Sequence, residues 1–309
     1  MSNKIRAMYY NIFGYMWWPD KENNPHLHSG PIALRQQMQA DLISHYAPDF
    51  IGMQEYCLDY RKGMTPLMEK IGYVEIEVGH DKRHEDGTRL NYSPIFYRPE
   101  KLKLLDKGFL MYPETMPDPN KNDGSVLIIN DVSSKSLTYG VFEQITTHKK
   151  FIAVNTHFMY SARYLTIEQA RQVRTQNAQN ALKIIDKVRA NGYEDLPVIF
   201  GGDLNTYPVS APIRTLTEVG GMQWLWDIAP VKDNSKGWKL YQIYDETQGK
   251  YVKYDKPSDD VNTTIDFIFY GPTKQPGTKM IFDNYLTITD DNALRSSDHS
   301  PRYTDFTLE

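Results

Sequence analysis

The chain is predicted to fold as an α/β protein, and three features carry that prediction. Short apolar, β-rich runs recur along its 309 residues, helix-period segments separate them, and one run after another stops on a polar side chain. The clearest case is Ile199-Phe200-Gly201-Gly202-Asp203-Leu204-Asn205, a buried-strand pattern that empties into two glycines, an aspartate and an asparagine. Open α/β sheets place their sites at such strand ends. The glycines are read here as letting a phosphate or a cation approach the backbone with no Cβ in the way.

In chain order, Ile5 to Ile12 is the first strand and delivers Asn11. Tyr15 to His28 is aromatic and polar without a period. It is read as a loop in which Trp17 and Trp18 pack down or wall a pocket, and in which His26 and His28 have no nearby acid to share a metal with. Pro31 opens a helix whose apolar stripe is Leu34, Met38 and Leu42. The second strand, Asp49 to Glu55, ends on Gln54 and Glu55. Tyr73 to Val78 is a third strand and His80 to Asp86 a solvated turn. Ser93 to Tyr97 and Leu102 to Leu105 read as a hairpin around Arg98-Pro99-Glu100, with Arg98 an edge ion-pair partner. The proline-rich stretch Met111 to Gly124 reads as a loop.

Thr138 to Thr147 and Lys150 to Thr156 form strands around His148-Lys149, and the second runs into Asn155-Thr156-His157. The longest helix spans Leu165 to Ala190. It opens on a capping box, Thr166-Ile167-Glu168-Gln169, and buries Ala170, Val173, Asn177, Ala181, Ile184 and Val188. After the strand Val198 to Phe200, a further helix starts at Ser210 or Pro212. Trp224, Trp226 and Ile228 read as core or strand, and Lys232 to Asn262 as loop. Thr264 to Tyr270 places Asp266 inside an apolar run, where a charge demands a partner. Ser297-Asp298-His299 then precedes a closing strand. No repeat, linker or low-complexity tract interrupts the pattern, so residues 1–309 are read as a single domain.

Bulk composition narrows the function classes. Lys plus Arg total 35 against 39 Asp plus Glu, a formal charge of −4, and no basic block stands out. Charge therefore does not favour a duplex nucleic acid partner. Cys57 is the single cysteine, which excludes an internal disulfide and a cysteine-based zinc site; it reads as small buried filler. With no leader pattern and no run of about eighteen apolar residues, the expectation is a soluble, cytoplasmic, monomeric protein.

The polar strand ends describe one pocket assembled from distant segments. Carboxylates and amides without a cysteine suit a hard cation, Mg²⁺ or Mn²⁺. Glu55 and Asp298 are the first choices as ligands, with Asn11 and Asp203 as supporting oxygens. His299 titrates near neutrality and is the natural general base, and Asp266 is the candidate to orient its ring. His157 and Asn205 are placed to contact a phosphate oxygen.

The ordered set Asn11, Gln54-Glu55, Asn155-Thr156-His157, Gly202-Asp203-Leu204-Asn205, Ile265-Asp266 and Ser297-Asp298-His299 resembles the endonuclease/exonuclease/phosphatase superfamily. That group includes pancreatic-type deoxyribonuclease, poly(A) deadenylases, neutral sphingomyelinases and inositol polyphosphate 5-phosphatases. The resemblance implies a four-layered α/β sandwich with two central mixed β-sheets flanked by helices, and divalent-metal hydrolysis of a phosphoester. It implies Glu55 and Asn11 at the metal, Asp203 on the attacking water, Asn205 and His157 on the phosphate, and Asp298 beside a His299 oriented by Asp266. Whether His299 or Asp203 takes the water's proton, and whether one metal or two take part, stays open.

Thr206-Tyr207-Pro208 after Asn205 is similar to the small bacterial and deadenylase-like branch. Phe158-Met159-Tyr160 departs from the Leu-Asp-His of many small bacterial members and puts bulk at the pocket lip. The leading expectation is a metal-dependent phosphoesterase acting on a small-molecule or single-stranded substrate. A magnesium-dependent nuclease on DNA or RNA is the alternative, and a non-catalytic ligand-binding module the alternative of another class.

Overall fold

Alternation along the strands decides the architecture, because successive side chains of a strand point to opposite faces. In the computed structural model, Met8 and Tyr10 of the first strand enter one core with Ile51 and Met53, while Ile5, Ala7 and Tyr9 enter another with Phe50. Ile152 and Val154 likewise join a third cluster, while Phe151 and Ala153 meet Ala7 and Tyr9 in the middle one. Two sheets therefore stack face to face and each turns its other face to helices.

The structure describes residues 3–14, 30–76, 91–118, 120–121, 123, 125–130, 135–160, 165–239, 242–273 and 277–309. Trp17, Trp18, His26, His28 and the segment His80 to Asp86 lie outside them. The eight-stranded sheet runs Val231–Lys232, Asn284–Thr287, Arg302–Leu308, Lys4–Asn11, Phe50–Gln54, Ile95–Tyr97 and Val74–Glu75, with Met280–Phe282 also paired to Arg302–Leu308. The six-stranded sheet runs Gln223–Trp224, Asp266–Gly271, Val198–Asp203, Lys150–His157, Ser136–Gln144 and Leu102–Met111. Helices Ile32–Tyr46 and Leu58–Lys70 cover the first sheet, and the long helix Ile167–Ala190 covers the second. Four layers result, as expected.

The long helix forms as its sequence directs. Thr166 accepts from the Gln169 N–H and the Gln169 side chain reaches back to the Thr166 N–H, so the capping box is closed in both directions. The first helix departs from expectation. Leu34 is exposed, and the buried face carries Arg35, Gln36, Gln39, Ala40, Leu42 and Ile43. Arg35 and Gln39 turn inward because they donate to the carbonyls of Ile12 and Ser296, which sit at the ends of distant segments.

Three other expectations are corrected. Ile95–Tyr97 and Leu102–Met111 make no hairpin; they belong to different sheets, and Arg98-Pro99-Glu100 carries the chain between layers. Arg98 lies 3.8 Å from Glu100 and over the Tyr73 ring. The supposed loops Met111 to Gly124 and Lys232 to Asn262 contain paired strands, Glu114–Pro117 with Val126–Asn130 and Gln242–Asp245 with Lys250–Tyr254. Only Val74–Glu75 of the third strand pairs among the described residues. No helix among those residues is long and apolar enough to cross a membrane.

Asn155 fastens the two sheets beneath the site. From the second sheet it donates to the Met53 and Pro94 carbonyls of the first, each at 2.8 Å, and accepts from Gln54 Nε2 at 2.6 Å. Gly52 makes room for it, since a Cβ there would lie 2.6 Å from Asn155 Oδ1. Asn155→Ala is expected to lower the unfolding free energy by about 2–3 kcal/mol through the stranded buried carbonyls. Urea denaturation measures this, and a loss within about 0.5 kcal/mol would show that the fastening is unimportant.

Candidate active site

Register brings the polar strand ends to one edge of the sandwich. Asn11 and Gln54 face each other across a parallel pair, as do His157 and Asp203, while Asp203 lies opposite Asp266 across an antiparallel one. His299 precedes the strand Arg302–Leu308 that runs antiparallel beside Asn11's own strand. Two of these residues sit in the left-handed region, Glu55 at φ 60° and Asn205 at φ 50°. Asparagine tolerates that conformation; glutamate rarely does, and such strain clusters at functional sites.

The glycines before Asp203 serve a purpose other than the one expected. A Cβ on Gly202, at φ 138°, would lie 1.9 Å from the Thr156 carbonyl oxygen, and one on Gly201 would meet the Tyr9 ring at 2.8 Å. Both positions are closed off by neighbouring protein rather than open to a ligand.

Asp203 is the hub. Its Oδ1 accepts from the Asn205 N–H at 2.8 Å and its Oδ2 from Asn11 Nδ2 at 3.0 Å. His157 Nε2 stands 3.4 Å and His299 Nε2 3.9 Å from the same Oδ2. Asn11 Nδ2 also reaches Glu55 Oε1 at 3.2 Å, so Glu55 and Asp203 share one donor. Asn205 Nδ2 lies 2.9 Å from His157 Nε2 and donates to the Phe158 carbonyl. On the other side, His299 Nδ1 meets Asp266 Oδ2 at 2.9 Å, and Ser297 Oγ donates to the Asn11 carbonyl while accepting from the His299 N–H. Seven of the eight residues singled out from the sequence are therefore joined by side-chain contacts along one edge, and Asp298 adjoins them through its charge on the neighbouring His299.

Burial and charge oppose each other at every member. Burial works to raise the Asp203 carboxyl, but His157, His299 and Lys135 outweigh it and hold the group well below the usual carboxylate range. Burial disfavours charge on His299 too, yet Asp266, Asp298 and Asp203 together raise it well above the ordinary 6.5. Asp266 and Asp298 are themselves pushed up, chiefly by burial. The surrounding carboxylates thus favour the protonated imidazole against its burial, which bears on the expected role of His299 as a base.

A group whose folded pKa is raised contributes stability that is complete below its ordinary value and fades as pH climbs through the folded one. The stability gap between the wild type and Asp266→Asn is therefore expected to be widest at about pH 6 and to narrow upward. Urea unfolding across that range tests it; a gap independent of pH would mean that the imidazole carries no extra proton.

The donor set suits a hard cation. Among the described residues no donor reaches Glu55 Oε2 or Asp298 Oδ1, both buried, and an unsatisfied buried carboxylate oxygen is costly unless a cation takes it. Asp203, Asp266 and His299 also place ligating atoms within 4.8 Å of one another. Asp266 and His299 are already engaged with each other, however, which leaves Glu55 and Asp298 with the uncommitted oxygens.

Sequence reasoning missed two buried lysines. Lys135 sets its Nζ 2.8 Å from His157 Nε2, and Lys239 donates to the carbonyls of Ala293 and Leu294 beneath Asp298. Burial pushes Lys239 down to about 7. Each lies in a polar stretch of sequence, so nothing in the local pattern separates it from a solvated lysine.

The sequence profile described as the Endonuclease/Exonuclease/phosphatase family matches residues 9–299, a span that starts just before Asn11 and ends on His299. The chain belongs to the endonuclease/exonuclease/phosphatase family. Solved structures share the family's fold with it. An endonuclease/exonuclease/phosphatase from Bacteroides vulgatus is 23% identical, with a TM-score of 0.66 and 99% of each chain covered. A mannosyl-6-phosphatase from Bacteroides thetaiotaomicron is 20% identical, with a TM-score of 0.65, covering 98% of this chain and 99% of that one. D. rerio TDP2, complexed with single strand DNA product, is 18% identical, with a TM-score of 0.60, covering 99% of this chain and all of that one. No curated protein matches the chain by sequence. Family membership makes the chain a relative of phosphoester hydrolases, and the likeness to these structures carries the fold.

Proposed function

We propose that this chain is a divalent-metal-dependent phosphoesterase that hydrolyses a phosphodiester or phosphomonoester by attack of water. One observation carries the reading: among the described residues no donor reaches two buried carboxylate oxygens, Glu55 Oε2, whose partner oxygen accepts from Asn11, and Asp298 Oδ1, whose charge acts on His299 in the Asp203–His157–His299 cluster. Glu55 and Asp298, with Asn11 alongside, are the residues that would hold Mg²⁺ or Mn²⁺. When bound, the cation supplies Lewis-acid polarisation of a phosphoryl oxygen.

The protein's own groups divide the remaining work. Asp203, kept ionised and fixed at both oxygens, orients the attacking water. Asn205 and His157 hold the phosphate from the side opposite Asp266. His299, steadied by Asp266 among carboxylates that favour its protonated form, donates its proton to the leaving oxygen as the phosphorus–oxygen bond breaks, and is restored by the proton the attacking water releases as the new phosphorus–oxygen bond forms. A nuclease reading shares these steps and finds support in the TDP2 likeness, so the substrate is tested directly. Purified protein with Mg²⁺ or Mn²⁺ is assayed on aryl phosphate mono- and diesters, sugar phosphates, nucleotides and single-stranded nucleic acid. Cleavage confined to polymers, with a steep salt dependence, selects the nuclease reading. Turnover of none of them overturns the assignment in favour of a binding module.

A further inference from the structure

The phosphate wall of this site contains a cation that none of the six sequence motifs includes. Lys135 lies at the start of the strand Ser136–Gln144 and is buried. Its Nζ stands 2.8 Å from Nε2 and 3.2 Å from Nδ1 of His157, and Asn205 Nδ2 stands 2.9 Å from the same Nε2. Two donors crowd a ring nitrogen that offers at most one lone pair. The imidazole stays neutral, because burial and then Lys135 lower its pKa. The positive charge on this wall therefore sits on Lys135, which burial brings down only to about 8 and which remains an ammonium at neutral pH.

Tyr160, 45% exposed, lays its ring over that ammonium with Nζ 5.1 Å from the ring centre. This gives the unusual Phe158-Met159-Tyr160 segment a use. Phe158 packs into the core against Tyr112, Met159 packs with Val173, and Tyr160 lays its ring over the lysine ammonium. A cation under an aromatic cap is shielded from salt and acts strongly on whatever anion enters beside it.

The charge of the substrate decides what such a cation selects. An internal phosphodiester carries one negative charge, whereas a terminal phosphomonoester carries nearly two at neutral pH. We propose that Lys135, capped by Tyr160, compensates the second charge, so that the preferred substrate is a terminal phosphomonoester rather than an internal phosphodiester. This rests on the phosphoesterase reading and names the substrate class for that same site.

The test compares para-nitrophenyl phosphate with bis(para-nitrophenyl) phosphate, assayed with Mg²⁺ on the full chain. In Lys135→Met, kcat/KM for the monoester is expected to fall roughly 10- to 100-fold, several times further than that for the diester. Lys135→Arg, which keeps the charge, is expected to restore most of the monoester rate. Inorganic phosphate, used as a competitive inhibitor of diester turnover, is expected to weaken in parallel with the monoester. Lys135→Gln serves where the methionine variant does not fold. Equal losses on both esters would reduce Lys135 to a structural support and overturn the proposal, as would no loss on either. A wild type that turns over neither ester nor any other member of the substrate panel removes the phosphoesterase reading itself, whereas an unchanged ratio in an active enzyme removes only the role of Lys135.

Discussion

Asp203→Ala is expected to reduce phosphoester hydrolysis by at least about 10³-fold while leaving the chain folded. The carboxylate is the point at which Asn11, the Asn205 backbone and His157 converge, and His299 faces it at 3.9 Å. Its loss removes the orientation of the water and leaves the charge of His299 with one fewer anion to face. His299→Ala is expected to cost about 10²- to 10⁴-fold, the range of a lost proton-transfer partner. Residues that act as a unit are not additive, so the double variant is expected to be scarcely worse than Asp203→Ala alone. Steady-state kinetics on an aryl phosphodiester, with circular dichroism as the control for folding, decide the matter. Wild-type turnover in either single variant would remove that residue from the reaction.

Removal of divalent metal is expected to have an effect as large. Excess chelator abolishes activity, and Mg²⁺ or Mn²⁺ restores it, if the oxygens of Glu55 and Asp298 are buried for a cation. Glu55→Gln keeps the shape of the side chain but loses its charge, so the Mg²⁺ concentration for half-maximal activity is expected to rise at least about tenfold. Thermal unfolding gives an independent reading, because a ligand that binds only the folded chain raises its midpoint with concentration. Turnover that persists in excess chelator would end the metal assignment whatever the variants do.

The strand ends were legible because their physics is local. An apolar run of alternating exposure has to be buried, and a polar residue at its end has to find water, a partner or a ligand. Asn11, Glu55, His157 and Asp203 announce themselves in that way, Asp266 as a charge set in an apolar run, and the long helix through Thr166 and Gln169. Contacts across the layers were not legible. Ser93 to Tyr97 and Leu102 to Leu105 carry the marks of a hairpin, yet Pro99 sits where the chain changes sheets, and no local propensity encodes which sheet a strand joins. The inward turn of Arg35 on the first helix is hidden for the same reason, since its acceptors, the carbonyls of Ile12 and Ser296, lie far away in sequence.

The amino-acid sequence alone determined the class of fold, the order of the polar strand ends and the residue types able to hold a hard cation, because each follows from the periodicity and chemistry of a short segment. Only the tertiary structure decided that Gly201 and Gly202 yield space to Tyr9 and Thr156 rather than to a ligand, that Asp203 and Asp266 both face His299, and that Lys135 stands against His157. Those facts depend on which surfaces meet when two sheets stack. A pKa or an available donor is a property of the assembled surroundings, not of the residue that bears it.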